Sequence, residues 1–191
     1  MYDALFAYFE RGFALSADDI TLIRAVFLQK KLKKGEFLQR EGEKARYGAF
    51  VVKGLLRSYV IDNKGKEHII QFAPENWWIS DKSGMTEGLA SFFIDAIEDA
   101  EVLLIDVAGH RLLMEKIPGY AALFSVGMQK RGAVKDIRII HSLTATAEER
   151  YNDFLKTHPT IALRLPQHML ASYLGITPET LSRIRRRATK K

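Results

Sequence analysis

Pro166-Gln167-His168-Met169-Leu170-Ala171-Ser172-Tyr173-Leu174-Gly175-Ile176-Thr177-Pro178-Glu179-Thr180-Leu181-Ser182-Arg183-Ile184-Arg185-Arg186-Arg187 spells out two short helices and the turn between them. Met169, Leu170, Tyr173 and Leu174 recur at helical spacing and give the first helix an apolar face. Ala171 is small where a second helix must approach. Gly175 suits the left-handed position that ends a helix, and Ile176 fills the turn. Thr177 is a good N-cap, and Pro178 sits where a first helical residue has no N–H partner to lose. Leu181 and Ile184 then point inward, which turns Glu179, Ser182, Arg183 and Arg186 outward. Two helices about a glycine turn, the second with a polar outer face, make the helix-turn-helix plan. An ordinary helical hairpin shares the spacing but not the turn, the cap and the charge together.

The charge is concentrated here. Of 191 residues, 29 are Lys or Arg and 23 are Asp or Glu, a net of +6. Residues 1–160 carry 22 of each sign, whereas residues 161–191 carry Arg164, Arg183, Arg185, Arg186, Arg187, Lys190 and Lys191 against Glu179 alone. A basic segment on a neutral body points to a polyanion as partner.

Composition narrows the class. Hydrophobic residues at 47% and charged residues at 27% suit a chain that folds around a core. No apolar run approaches the roughly 18 residues that span a bilayer, so no membrane partner is expected. The Met1-Tyr2-Asp3-Ala4 start lacks a basic signal-peptide opening, and a cytoplasmic location fits. With no cysteine, disulfides, thiolate catalysis and cysteine-held clusters are closed.

Working back towards the N-terminus, His158-Pro159-Thr160 breaks the chain and predicts a hinge. Residues 108–157 read as helical. Val126, Ala133, Ile137 and Ile140 fall near a/d positions, as a dimer seam would or as a helix packed on its own domain would. Residues 30–107 read as β-rich. Tyr47–Val52, Leu55–Ile61, His68–Phe72, Phe92–Ile97 and Val102–Ile105 are short apolar stretches with glycine between them, which suggests a sandwich or barrel. Asp62-Asn63-Lys64-Gly65 predicts a hairpin turn. Residues 2–29 read as helical, with Leu5, Phe6 and Phe9 on one face, Ile20, Ile23 and Phe27 on another, and Ser16 as a cap before Asp18 and Asp19.

Three stretches together resemble the Crp/Fnr family of bacterial transcription regulators. Lys34-Gly35-Glu36-Phe37-Leu38-Gln39-Arg40-Glu41-Gly42-Glu43 looks like the opening of its β-roll, Val51-Val52-Lys53-Gly54-Leu55-Leu56-Arg57 like its next turn, and Leu170 to Arg183 like its helix-turn-helix. The last is the most specific. The resemblance covers nearly the whole chain. It implies an α+β protein with an N-terminal β-roll (jelly-roll, cyclic-nucleotide-binding-like) sensor over 1–115, a long dimerisation helix over 116–144, and a small helical DNA-binding domain over 145–191. Its implied partners are double-stranded DNA, a second copy of the chain and RNA polymerase.

The resemblance also assigns residues. Glu179, Ser182 and Arg183 match positions that face base edges; Arg can donate twice to guanine and Glu can accept from cytosine. Gln167, His168, Thr177, Thr180 and Arg186 are candidates for phosphate contacts. Pro178 departs from a frequent basic residue of the family, so the target sequence is not transferable. Members that bind cyclic AMP hold its ribose with a Gly-Glu and its phosphate with an Arg-Ser or Arg-Thr. The matching stretches here are Ser80-Asp81 and Ala90-Ser91. Without the arginine a buried phosphate loses a contact worth about 1.5–3 kcal/mol. Cyclic AMP is therefore not expected as effector, no cofactor is expected, and a different small molecule or none is open at Ser80, Asp81, Ala90 and Ser91.

Enzyme activity is not expected. His68, His110, His141, His158 and His168 show no metal-ligand spacing, and Asp81 with Glu87 lacks a neighbouring nucleophile or base. Adjacent Trp77 and Trp78 would point to opposite faces of a strand, so at most one could line a pocket. The alternative is a ligand-binding or protein-interaction module of the same fold whose helix-turn-helix is vestigial; the basic C-terminus argues against it.

Overall fold

The computed structural model describes residues 1–188, with the side chains of all but Glu87, Arg131 and Ala188. Lys190 and Lys191 of the basic terminus, and the Glu87 carboxylate considered above beside Asp81, lie outside that description. The architecture is α+β, with a β-roll, a long helix and a C-terminal helix-turn-helix. The chain forms two compact units. Met1–Val60 and Gln71–Met128 make the first, and Ile61–Ile70 joins the residues from Gln129 onward in the second.

The first unit begins with α1 (Tyr2–Phe9) and α2 (Ala17–Val26). Ser16 caps α2 as expected, and does so reciprocally. Its Oγ accepts from the Asp19 N–H at 3.1 Å, and the Asp19 carboxylate accepts from the Ser16 N–H at 2.9 Å. Such a capping box satisfies two otherwise orphaned donors. Then come β1 (Leu28–Leu32), β2 (Phe37–Gln39), β3 (Tyr47–Lys53), β4 (Leu56–Ile61), β5 (Glu67–Ala73), β6 (Trp78–Ile79), a short α3 (Lys82–Glu87), β7 (Phe93–Ala96), β8 (Ala100–Asp106) and α4 (Val107–Lys116). One four-stranded sheet runs β1-β8-β3-β6 and the other β2-β7-β4-β5.

Alternation along the strands explains the two cores. Val51, Leu56, Ile94, Val102 and Leu104 pack in the cluster shared by both sheets. Phe50, Leu103 and Ile105 point the other way and meet Leu5, Phe9, Ile23, Phe27 and Leu113 from the helices. A sheet buried on both faces requires nearly continuous apolar strands, as β3 and β8 are. Gly54 turns between β3 and β4 at φ +93°, where an added Cβ would lie 2.6 Å from the Asp99 carbonyl oxygen. A bidentate ion pair is buried across β4 and β7: Arg57 Nε donates to Asp95 Oδ1 at 2.7 Å and Nη2 to Oδ2 at 2.9 Å.

The N-terminal reading needs two corrections. Residues 28 and 29 belong to β1, not to a helix, and the tryptophans do not share a strand. Trp78 lies in β6 and packs 5.3 Å from Phe50 and 6.0 Å from Phe27, whereas Trp77 precedes the strand and is exposed. Trp78 therefore belongs to the helix-facing core.

The second unit contains the hairpin tip 61–70 and the latter part of α5 (Pro118–Thr144), then α6 (Ala147–Thr157), α7 (Pro159–Ala162), α8 (Gln167–Leu174) and α9 (Pro178–Ala188). Helix α5 runs 27 residues despite Gly127 and Gly132, each costing about 1 kcal/mol relative to alanine. Thr146 caps α6 with Glu149 in a second capping box. The break at His158-Pro159-Thr160 is present: α6 ends at Thr157, Pro159 starts α7, and His158 stacks on Phe154 at 5.1 Å.

Candidate nucleic-acid interface

Helix α8 ends at Gly175, whose φ of +67° and ψ of +34° place it in the left-handed region; its N–H returns to the Ala171 and Ser172 carbonyls. Ile176 N–H also bonds Ala171 O, at 3.0 Å. Thr177 Oγ1 then accepts from the Thr180 N–H at 3.2 Å, which starts α9 at Pro178. Leu170, Ala171 and Leu181 are fully buried, and Leu174 and Ile184 nearly so. Each large aliphatic side chain withdrawn from water in this way contributes about 1.5–3 kcal/mol. The inner faces read from the sequence are thus the packed ones.

The opposite side is an open concavity of about 610 Å³ lined by Gln167, His168, Pro178, Glu179, Ser182, Arg183 and Arg186. It brings together six of the residues assigned above, along with the proline that starts α9. Gln167 Nε2 donates to Pro178 O at 2.9 Å and so fastens the start of one helix to the start of the next. Arg183 Nη2 donates to Thr180 Oγ1 at 3.2 Å, and Thr177 Oγ1 lies 3.2 Å from the same oxygen. Thr177 and Thr180 therefore do not line the concavity; their hydroxyls are engaged in the cap. The Glu179 carboxyl is held below its usual range by its own backbone N–H and the Thr177 hydroxyl, so it presents an ionised acceptor. Arg185, further along α9, donates from Nε to Tyr151 Oη at 3.2 Å.

In the first unit, the structure also brings Asp81 and Ser91 together. Asp81 is 1% exposed. Its Oδ1 accepts from Gly84 N–H at 2.8 Å, and its Oδ2 from Ser91 N–H at 2.5 Å and Gln39 Nε2 at 3.4 Å. Ser91 Oγ lies 3.0 Å from the same Oδ2. Ala90 is buried, with its N–H on Glu43 O at 2.8 Å and its carbonyl accepting from Gly42 N–H at 2.9 Å. Ser80 stands beside Gly48, its Cβ 3.5 Å from where a Cβ on that glycine would lie. The carboxylate is thus saturated by the protein's own donors. Gln39 had no signal in the sequence, because its partner lies 42 residues away. Among the described residues, no three His, Asp or Glu side chains converge as metal ligands, and no helix is long and apolar enough to cross a membrane.

Residues 29–116 match the family model of the cyclic nucleotide-binding domain. No curated protein matches the chain by sequence. Among solved structures, the chain is similar to FixK2 from Bradyrhizobium japonicum, at a TM-score of 0.74 and 24% identity over 86% of this chain and 85% of that one. It is similar to CLP of Xanthomonas campestris, described as a c-di-GMP-responsive global regulator, at a TM-score of 0.73 and 13% identity over 92% of each chain. It is also similar to a protein of Eubacterium rectale assigned as a transcriptional regulator of the Crp/Fnr family, at a TM-score of 0.68 and 19% identity over 90% of this chain and 82% of that one.

Proposed function

We propose that this chain, which carries a cyclic nucleotide-binding domain and has the fold of the Crp/Fnr family, is a sequence-specific DNA-binding transcription regulator rather than an enzyme. The observation that carries the reading is the concavity beside α9, where an ionised glutamate, two arginines, a serine, a glutamine and a histidine converge on a capped helix. Glu179, Ser182 and Arg183 read base edges; Gln167, His168 and Arg186 meet phosphates. The protein works in the cytoplasm as a homodimer joined through α5, on which Ile137, Ile140 and Leu143 are 53%, 54% and 81% exposed. Two recognition helices then read an inverted repeat with half-sites about one helical turn apart. RNA polymerase is the further partner of such a regulator.

Cyclic AMP is not the effector. Ala90 offers no cation, and Asp81 spends both oxygens on Gly84, Ser91 and Gln39. The test is selection of bound duplexes from a random pool, followed by footprinting across a salt series. A palindromic consensus with steep salt dependence is expected. Weak, equal binding of all sequences at moderate salt would leave the vestigial-domain alternative standing. Calorimetry should show no micromolar cyclic AMP binding.

A further inference from the structure

The chain leaves the second sheet along β4, passes through residues 61–70 in the compact unit of the helix-turn-helix, and returns as β5. That turn is stiff. Asp62 Oδ1 accepts from the N–H groups of Lys64 at 2.9 Å and Lys66 at 3.0 Å, and Asp62 Oδ2 lies 2.8 Å from His68 Nε2.

Two side chains of the helices hold this tip. Ser172, on α8, donates from Oγ to Glu67 O at 2.8 Å and accepts from Ile69 N–H at 3.1 Å. Arg138, on α5, donates from Nη2 to Ile69 O at 2.9 Å and to Tyr173 O at 3.2 Å, and from Nη1 to Ile70 O. Its guanidinium carbon stands 4.0 Å from the centre of the Tyr173 ring. No carboxylate of the described residues lies in ion-pair range of it; desolvation lowers its pKa, and Tyr173 opposes the shift. Tyr173 O belongs to the last turn of α8, where carbonyls lack helical partners and a cation is favoured. The fork of one arginine thus ties α5, the hairpin tip and the end of α8 into a single knot. Planar donors fixed relative to each other suit this task, and a lysine ammonium does not.

We infer that residues 61–70 are a working part of the DNA-reading unit, and that Arg138 and Ser172 are positioning residues that set α8 against that tip. The inference rests on the regulator reading above. Gly175 and the Gln167–Pro178 bond fix α9 to α8, so a change in the seat of α8 is passed to the face that carries Glu179 and Arg183. Linkage then requires the converse, that DNA on α9 alters the hairpin.

Hydrogen exchange on the full chain, with and without the selected duplex, tests this directly. Wild-type protein should show slowed exchange in both α9 and residues 61–70 on binding. Ser172→Ala and Arg138→Lys should keep the slowing in α9 and lose most of it in 61–70. They should weaken the selected duplex about 5-fold or more, the lower range of a coupling of this kind, and leave unselected duplexes unchanged. Arg138→Met, if folded by circular dichroism, should match Arg138→Lys, which separates geometry from charge. Exchange in 61–70 that ignores DNA while α9 responds overturns the inference and spares the regulator reading. Equal weakening of selected and unselected duplexes overturns it too, since that marks a role in folding alone. Wild-type protein in which not even α9 responds to duplex refutes the regulator reading, and the inference with it.

Discussion

Replacing Arg183 by alanine removes five N–H donors from the concavity while leaving the fold almost untouched. The side chain is exposed, and among the described residues its hydrogen bond is the one from Nη2 to Thr180 Oγ1. Alanine is at least as good a helix former, so the stability change should stay within about 0.5 kcal/mol. The loss then falls on DNA. A bidentate arginine–guanine contact discriminates against the wrong base by about 1–3 kcal/mol, or roughly 5- to 150-fold. A twofold-symmetric site carries the contact twice, so the dimer should lose about 2–6 kcal/mol on its selected site if the two halves add. Against duplexes already substituted at that base pair, the variant should lose little. Arg186→Ala provides the contrast: all duplexes weaken alike, and the salt slope falls by about one. Binding of both variants to selected and singly substituted duplexes across a salt series reads both numbers. If Arg183→Ala weakens every duplex equally, the face of α9 turned to DNA has been misassigned.

Asp95→Asn should cost about 3–5 kcal/mol, because it leaves the Arg57 guanidinium buried beside a neutral group; the double variant Arg57→Met/Asp95→Leu should recover most of it in chemical denaturation. A loss below about 1 kcal/mol in the single variant counts against a desolvated pair. Asp62 is held down to about 2 from 3.8, first by His68 and then by the N–H groups of Lys66 and Lys64. A carboxyl depressed in the folded state stabilises above its unfolded value and loses that contribution as pH falls through the folded one, so the hairpin turn should loosen between pH 3.8 and about 2. An NMR titration midpoint for Asp62 at its ordinary value contradicts this. Ile140→Glu should convert dimer to monomer in light scattering and abolish binding to the palindrome; an unchanged dimer moves the seam away from α5.

What could be read beforehand follows the range of the forces involved. Helices α8 and α9 were legible because every signal is local: Gly175 at the turn, Thr177 and Pro178 at the start, Leu181 and Ile184 inside. The strands β3 and β8 were legible because burial on both faces forces unbroken apolar runs. The strand β1 was not. It reads Leu-Gln-Lys-Lys-Leu, pairs with β8 alone among the described residues, and lies at the sheet edge, where lysines guard against further pairing. The hairpin turn at Asp62–Gly65 was visible in its own four residues, but its seat on Ser172 lies about a hundred positions along the chain and leaves no period to detect.

Asp81 shows how a position matched by resemblance can take up a local role of its own. By resemblance it stands where a longer glutamate would hold a ribose. The structure gives the shortening a different consequence. Aspartate is among the strongest N-cap residues because its carboxylate folds back onto the N–H groups two or three positions ahead. Here it takes the Gly84 N–H at the start of α3, and the remaining oxygen takes the Ser91 N–H. An added Cβ at Gly84 would stand 2.6 Å from the Leu89 carbonyl oxygen, so the backbone passes too closely there for any other residue. The carboxylate therefore closes its own loop. Restoring an arginine at Ala90 would not by itself restore an anion site, because the Ser91 N–H would still be occupied by Asp81. The Ala90→Arg variant should bind cyclic AMP no better than the parent by calorimetry, and a gain to micromolar affinity would show that Asp81 yields its partners readily.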